Sequence, residues 1–254
     1  MAVDYVSVAE ARKMPGLRLA LSAGTPGPWG EAAKAVLKLR NVAYAPVRQH
    51  IMEANEDLVE WTGFRNAPVA VYDDEPGVAG WIEILMLAER LGSGPSLLPD
   101  DELKRMLVLG ICTEICSPGG FGWERRLTMM GGPSVRSGGP PEVMTRAYGV
   151  RDGLQENARA RVIAILNGLS RQLASQLRSG SDYLVGASLT AADVYWACFA
   201  ILIEPLPHET CPMSPQMRAV YANIVPEIAA AADPALLMHR DMVWQRHIGL
   251  PMEF

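Results

Sequence analysis

The residues of this chain best suited to nucleophilic or metal chemistry are four cysteines (Cys112, Cys116, Cys198, Cys211) and four histidines (His50, His208, His239, His247). A metal site needs ligands at set spacing, and these histidines form no HxxxH or comparable pair, so no metal is expected. Cys112 and Cys116 stand four apart, on one helical face and without CxxC spacing. A free cysteine among apolar neighbours behaves as a small hydrophobe, which predicts buried, reduced thiols. Trp123, Arg125 and Arg126 lie together in the stretch Phe121–Met130. A guanidinium there either attracts an anionic substrate or ion-pairs at the surface. Thr190 and Asp193 stand three apart at the head of a strongly apolar run. Thr190 accepts a bond from a free amide near Asp193 while the Asp193 carboxylate reaches back to the Thr190 amide, with Leu189 and Val194 as the staple. That pattern makes Asp193 a capping residue and not a catalytic acid.

The elements that must position these groups follow from hydrophobic periodicity. At 254 residues the chain has room for two cores, its composition is that of an ordinary globular protein, and a net charge of −5 argues against a nucleic-acid or anionic membrane partner. The first sixteen residues lack the apolar run of a signal peptide, and no apolar run reaches membrane-spanning length, which predicts a cytoplasmic protein. Residues 17–21 read as a strand, the Gly- and Pro-rich stretch 22–28 as a loop, and 29–40 as a helix. A second strand is expected over 42–47, a short polar helix over 53–62, a strand over 66–72 entered through Pro68, and a helix over 81–91. Gly92 and its neighbours then break the pattern. From Asp101 onward only helical periodicity is found, around 101–116, 142–178, 190–204 and 214–230, with a helix–loop connection over 117–141. The Met238–His247 stretch and the terminal Phe254 read as a tail packed back on the protein, with Trp244 as its anchor. The order predicts an α/β domain (17–92) after an N-terminal arm (1–16), a linker (93–100) and an all-helical domain (101–254).

Three places in this order resemble the cytosolic glutathione transferase superfamily, in a divergent, bacterial-type form. They are the strand–loop–helix from Leu17 to Arg40, the strand entry Ala67, Pro68 and Val69, and the stretch from Asp182 to Asp193 with its Thr190 and Asp193 cap. The resemblance implies a thioredoxin-like N-terminal domain and an all-α helical-bundle C-terminal domain. It implies a cis bond before Pro68, with the backbone of Ala67 pairing with the cysteinyl part of glutathione. It also implies glutathione as co-substrate, a small-molecule electrophile as the second partner, and a homodimer.

The same resemblance directs attention to the loop from Ser22 to Gly30, where the family places the group that stabilises the glutathione thiolate. A thiolate attacks where a thiol hardly does. The family's Cys or Ser corresponds to Gly27, and no tyrosine occurs in the loop, which leaves Thr25 as the first candidate hydroxyl and Ser22 as the second. Trp29 either packs in the core or lines the ligand site. The family's acidic-Ser pair corresponds to Ala79 and Gly80, so a γ-glutamyl carboxylate would be held by the backbone amides of Gly80 and Trp81 at a helix N-terminus. Cys112, Cys116, Trp123 and Arg125 fall in the region that lines the family's acceptor pocket. The function implied is addition or exchange of the glutathione thiol on a small, partly apolar electrophile. The altered site residues keep open a non-catalytic binding module, or a glutathione-dependent isomerase or lyase.

Overall fold

In the computed structural model residues 3–129 and 154–254 are described, and they divide into two compact units. One unit is Met1–Leu97 with Pro207–Met213 and Gln245–Phe254, and the other is Leu98–Leu206 with Ser214–Trp244.

In the first unit a three-stranded sheet runs in the order β2-β1-β3, from β1 (Leu17–Ser22), β2 (Ala45–Gln49) and β3 (Val69–Tyr72). β1 pairs with β2 in parallel, Ser22 opposite Gln49, and with β3 antiparallel, Ala20 opposite Val69. The side-chain period of two sends Ala20, Val47 and Val69 to one face. There they form a core with Val8 and Ala11 of α1 (Val8–Ala11) and Leu58 of α3 (Glu56–Thr62). α2 (Pro28–Leu39) packs against α4 (Trp81–Leu91), and its Gly30 lies against Leu21 on the other face of the sheet.

β2 starts later than its apolar pattern suggests. Asn41 takes a positive φ of 59° and the Val42 amide returns to the Leu37 carbonyl at 2.9 Å, so the residues after α2 close that helix before a strand can begin. The N-terminal arm carries a helix that the apolar pattern did not call. Ser7 and Glu10 form a capping box for α1, and Val6 bridges Val47 beside β2. Ser-x-x-Glu was the readable signal for it.

The second unit is helical: α5 (Glu102–Cys116), α6 (Phe121–Met129), α7 (Leu154–Arg178), α8 (Ala191–Phe199) with a 3-10 turn (Ala200–Leu202), α9 (Pro215–Tyr221), α10 (Pro226–Ala231) and α11 (Pro234–Val243). The expected helix over 214–230 is two helices, because Pro226 has no amide to donate and starts a new one. Residues 142–153 of the expected long helix, Tyr148 among them, lie outside the described residues. α8 is buried at every position, as its all-round apolar sequence requires. No described helix is long and apolar enough to cross a membrane.

Candidate functional site

The register of the sheet decides which residues meet. With Ala20 opposite Val69, the C-terminal end of β1 and the N-terminal end of β3 lie at one end of the sheet, so Ser22 and the loop after it stand beside Ala67 and Pro68. The parallel pairing brings Gln49 of β2 to the same end. Val78 pairs antiparallel with Ala70, with both amide–carbonyl bonds made (2.8 and 2.9 Å), so the chain reaches Gly80 running back toward Pro68. α2 and α4 therefore both begin at this end.

Each group there has a definite state. The Ser22 hydroxyl donates to Gln49 Oε1 at 2.7 Å, and the buried Gln49 side chain in turn donates to the His50 carbonyl at 2.9 Å. That hydroxyl's proton is committed within the protein. Thr25 is half-buried, its amide and carbonyl close a tight turn with Ser22 and Gly27, and its hydroxyl has no partner among the described residues. Gly27 is the N-cap of α2 and offers no side-chain bond to the free amides of the first turn. A Cβ added there meets nothing within 4 Å, so the position is open space and not a close approach of chains. Trp29 follows half-buried in the first turn. Ala67 and Pro68 are joined by a cis bond, and the Ala67 amide and carbonyl make no backbone bond among the described residues. Gly80 is the N-cap of α4, again without a side-chain bond, and Trp81 opens the helix half-buried.

One turn into α2 lies the strongest perturbed acid of the unit. Glu31 is buried with Lys34 at 2.8 Å, and burial pushes its carboxyl up to about 7 despite that cation. Tyr44, whose phenol is raised first by burial and then by Glu31, adds to the cluster. Sequence reasoning missed Glu31. Its only signal was an acid at a position where the apolar stripe of α2 continues.

In the second unit, Cys112 and Cys116 sit in the packed interior, and burial raises both thiols well above their usual range. They are neutral and inaccessible, which removes them as pocket-lining or reactive groups. Arg125, expected to border an open site, is instead fully buried. Its Nε donates to the Leu202 carbonyl (2.9 Å), Nη1 to Thr128 Oγ1 (3.0 Å) and Nη2 to the Asn223 carbonyl (2.6 Å). Burial lowers it to about 10, so it remains charged at neutral pH, tying α6 to the ends of the 3-10 turn and α9. Trp123 beside it is half-buried.

The Thr190–Asp193 capping box is closed on both sides. Asp193 does more than cap: Oδ2 accepts from the Thr190 amide and hydroxyl (both 2.8 Å), and Oδ1 accepts from the Leu184 amide (2.7 Å) and faces His239 Nε2 (2.9 Å). The His239 contact was not legible in the sequence, because 46 residues separate the partners. The Trp244 indole donates to the Ala197 carbonyl at 3.0 Å. Among the described residues no three His, Cys, Asp or Glu side chains gather as a metal site.

A thioredoxin-like α/β unit with its cis-proline strand entry, and an all-helical unit around one buried helix, together define the glutathione transferase fold. Solved structures agree. A glutathione S-transferase of Methylobacterium radiotolerans in complex with glutathione sulfonate superposes with a TM-score of 0.62 at 16% identity, covering 94% of this chain and 97% of that one. A glutathione S-transferase domain-containing protein of Marinobacter aquaeolei gives 0.60 at 15% identity over 91% and 100%. Ure2p in complex with glutathione gives 0.58 at 14% identity over 89% and 98%. No protein-family model matches the chain, and no curated protein matches it.

Proposed function

We propose that the protein binds glutathione at the β1–β3 end of the first unit and adds or exchanges its thiol on a small, partly apolar electrophile. The observation that carries this reading is the register, which brings the Thr25 loop, the unladdered backbone of Ala67 and the starts of α2 and α4 to one end of the sheet. In this reading Ala67 pairs with the cysteinyl backbone and the Thr25 hydroxyl donates to the sulfur, favouring the thiolate beside the first turn of α2. Gly27 and Trp29 border the sulfur, and the amides of Gly80 and Trp81 face the γ-glutamyl end. Glutathione and glutathione sulfonate are the ligands of two proteins of the same fold, which supports the ligand class. Trp123 stays in the proposal as a residue of the acceptor pocket. The proposal includes a cytoplasmic homodimer.

Calorimetric titration with glutathione tests it. Heat and thermal stabilisation at millimolar ligand are expected, and their absence overturns the reading. A non-catalytic binding module is the second reading, favoured by the bare Gly27 and Gly80 and by the committed hydroxyl of Ser22. Binding without turnover on a panel of electrophiles would select it.

A further inference from the structure

Residues 245–254 belong to the first unit, and two lysines of α2 hold them there. Lys38 Nζ donates to the Ile248 carbonyl at 2.7 Å, and Lys34 Nζ donates to the Glu253 carbonyl. Gly249 takes a φ of 96°, and a Cβ at that position would stand 3.1 Å from Lys38 Nζ, so the bare backbone there lets the ammonium in. Ile248 and Met252 are buried, and the Met252 amide donates to the Thr210 carbonyl at 2.7 Å. The Lys34 ammonium is shared: it also pairs with Glu31 at 2.8 Å, and both side chains are largely covered. The other titratable groups facing this pair are Tyr5 of the N-terminal arm, Tyr44 ahead of β2 and Glu253 of the tail, with Arg48 of β2 over the Tyr5 ring at 5.2 Å.

We propose that residues 245–254 form a pH-sensitive strap, latched to α2 by Lys34 while Glu31 is neutral and released as Glu31 ionises. A carboxyl taken out of water resists ionisation, and Glu31, 4% exposed, is pushed up to about 7 even with Lys34 beside it. Once ionised it gains from water, which reaches it when the strap lifts. It also draws the Lys34 ammonium away from the Glu253 carbonyl, since a carboxylate is a stronger acceptor than a neutral carbonyl. With the strap down the carboxyl titrates above its ordinary 4.5, so the hold is fully present below pH 4.5 and is lost as pH rises through 7. The phenols of Tyr5 and Tyr44, both raised first by burial, stay neutral across that range. The strap does not depend on what binds at the start of α2.

Hydrogen exchange at the Met252 amide tests the strap, read at pH 6 and pH 8 and corrected for the intrinsic chemical rate, on the parent protein, Glu31→Gln and Lys34→Met, each first shown folded by its melting curve. In the parent, Met252 is expected to be less protected than the β1 amides at both pH values, and its protection to fall several-fold from pH 6 to pH 8, to a limit of about tenfold. In Glu31→Gln that fall is expected to vanish, and in Lys34→Met protection is expected to be low at both pH values. Equal protection in the parent at the two pH values, the same fall in Glu31→Gln, or undiminished protection in Lys34→Met overturns the strap. So does a Met252 amide that exchanges only as fast as β1, since the tail then opens only with the whole unit. If neither variant folds, the parent's own comparisons, pH 6 against pH 8 and Met252 against β1, decide.

Discussion

At the scale of single residues, the contrast between Ser22 and Thr25 decides which hydroxyl is available. A hydroxyl has one proton; that of Ser22 goes to Gln49, whereas that of Thr25 has no taker among the described residues. Thr25→Ala is expected to lower turnover of glutathione with an activated nitroarene by about 10²-fold, and Thr25→Ser to keep most of it. Thiolate absorbance against pH should show the bound thiol ionising at higher pH in Thr25→Ala. Gly27→Ser tests the bare N-cap: with nothing within 4 Å of the new Cβ the side chain fits, and a serine there caps α2 by a few tenths of a kcal/mol better than glycine. It also supplies a hydroxyl at the N-cap of α2, so turnover is expected to rise while the melting temperature holds or rises slightly. Glu31 makes a prediction about pH. Its folded pKa of about 7 lies above the ordinary 4.5, so the folded state binds the extra proton between those values, and the contribution of Glu31 to stability is fully present below pH 4.5 and is lost as pH rises through 7. The loss amounts to roughly 3 kcal/mol. Denaturant midpoints at pH 5 and pH 8 should differ by less in Glu31→Gln than in the parent.

At the scale of elements, the helix starts differ in how their first-turn amides are met. α5, α9 and α11 begin on Asp101, Ser214 and Asp233, whose side chains accept from their own first-turn amides, and α8 begins on the Thr190 box. α2 and α4, which start at the candidate site, begin on Gly27 and Gly80 without such bonds, as α3 and α10 do on Asn55 and Val225. Amides left open are what an anionic ligand can use. Asp193 is the opposite case, a fully buried carboxylate with all its partners on its own unit. Asp193→Ala strands the Leu184 and Thr190 amides and the His239 ring together. A loss of about 3–5 kcal/mol is expected, read as a large fall in melting temperature with no selective effect on thiol binding. The local signals that forecast these helices were strong where caps and prolines punctuated them, as at Pro28, Trp81 and Thr190. They failed where the start of a strand waits on a turn to close, as at Val42, or on pairing with a distant strand, as at Val6.

At the scale of the whole molecule, the C-terminal residues belong with the first unit, together with Pro207–Met213. Lys38 Nζ donates to the Ile248 carbonyl at 2.7 Å, Lys34 Nζ donates to the Glu253 carbonyl, and the Met252 amide donates to the Thr210 carbonyl at 2.7 Å. α2 is thus held by the tail as well as by the sheet. Met252 is buried, and Met252→Ala is expected to cost about 2–4 kcal/mol, measured by chemical denaturation. The sequence by itself determined the local facts: which stretches are strands or helices, where Thr190 and Asp193 cap, and that Gly27 and Gly80 stand at two helix starts. Those follow from propensity, periodicity and capping, which act over a few residues. Only the tertiary structure decided that Ser22 is spoken for and Thr25 is not, that Arg125 is interior, and that Asp193 meets His239. Such facts depend on sheet register, burial and the direction a side chain takes, and these are set by packing between segments far apart in the chain.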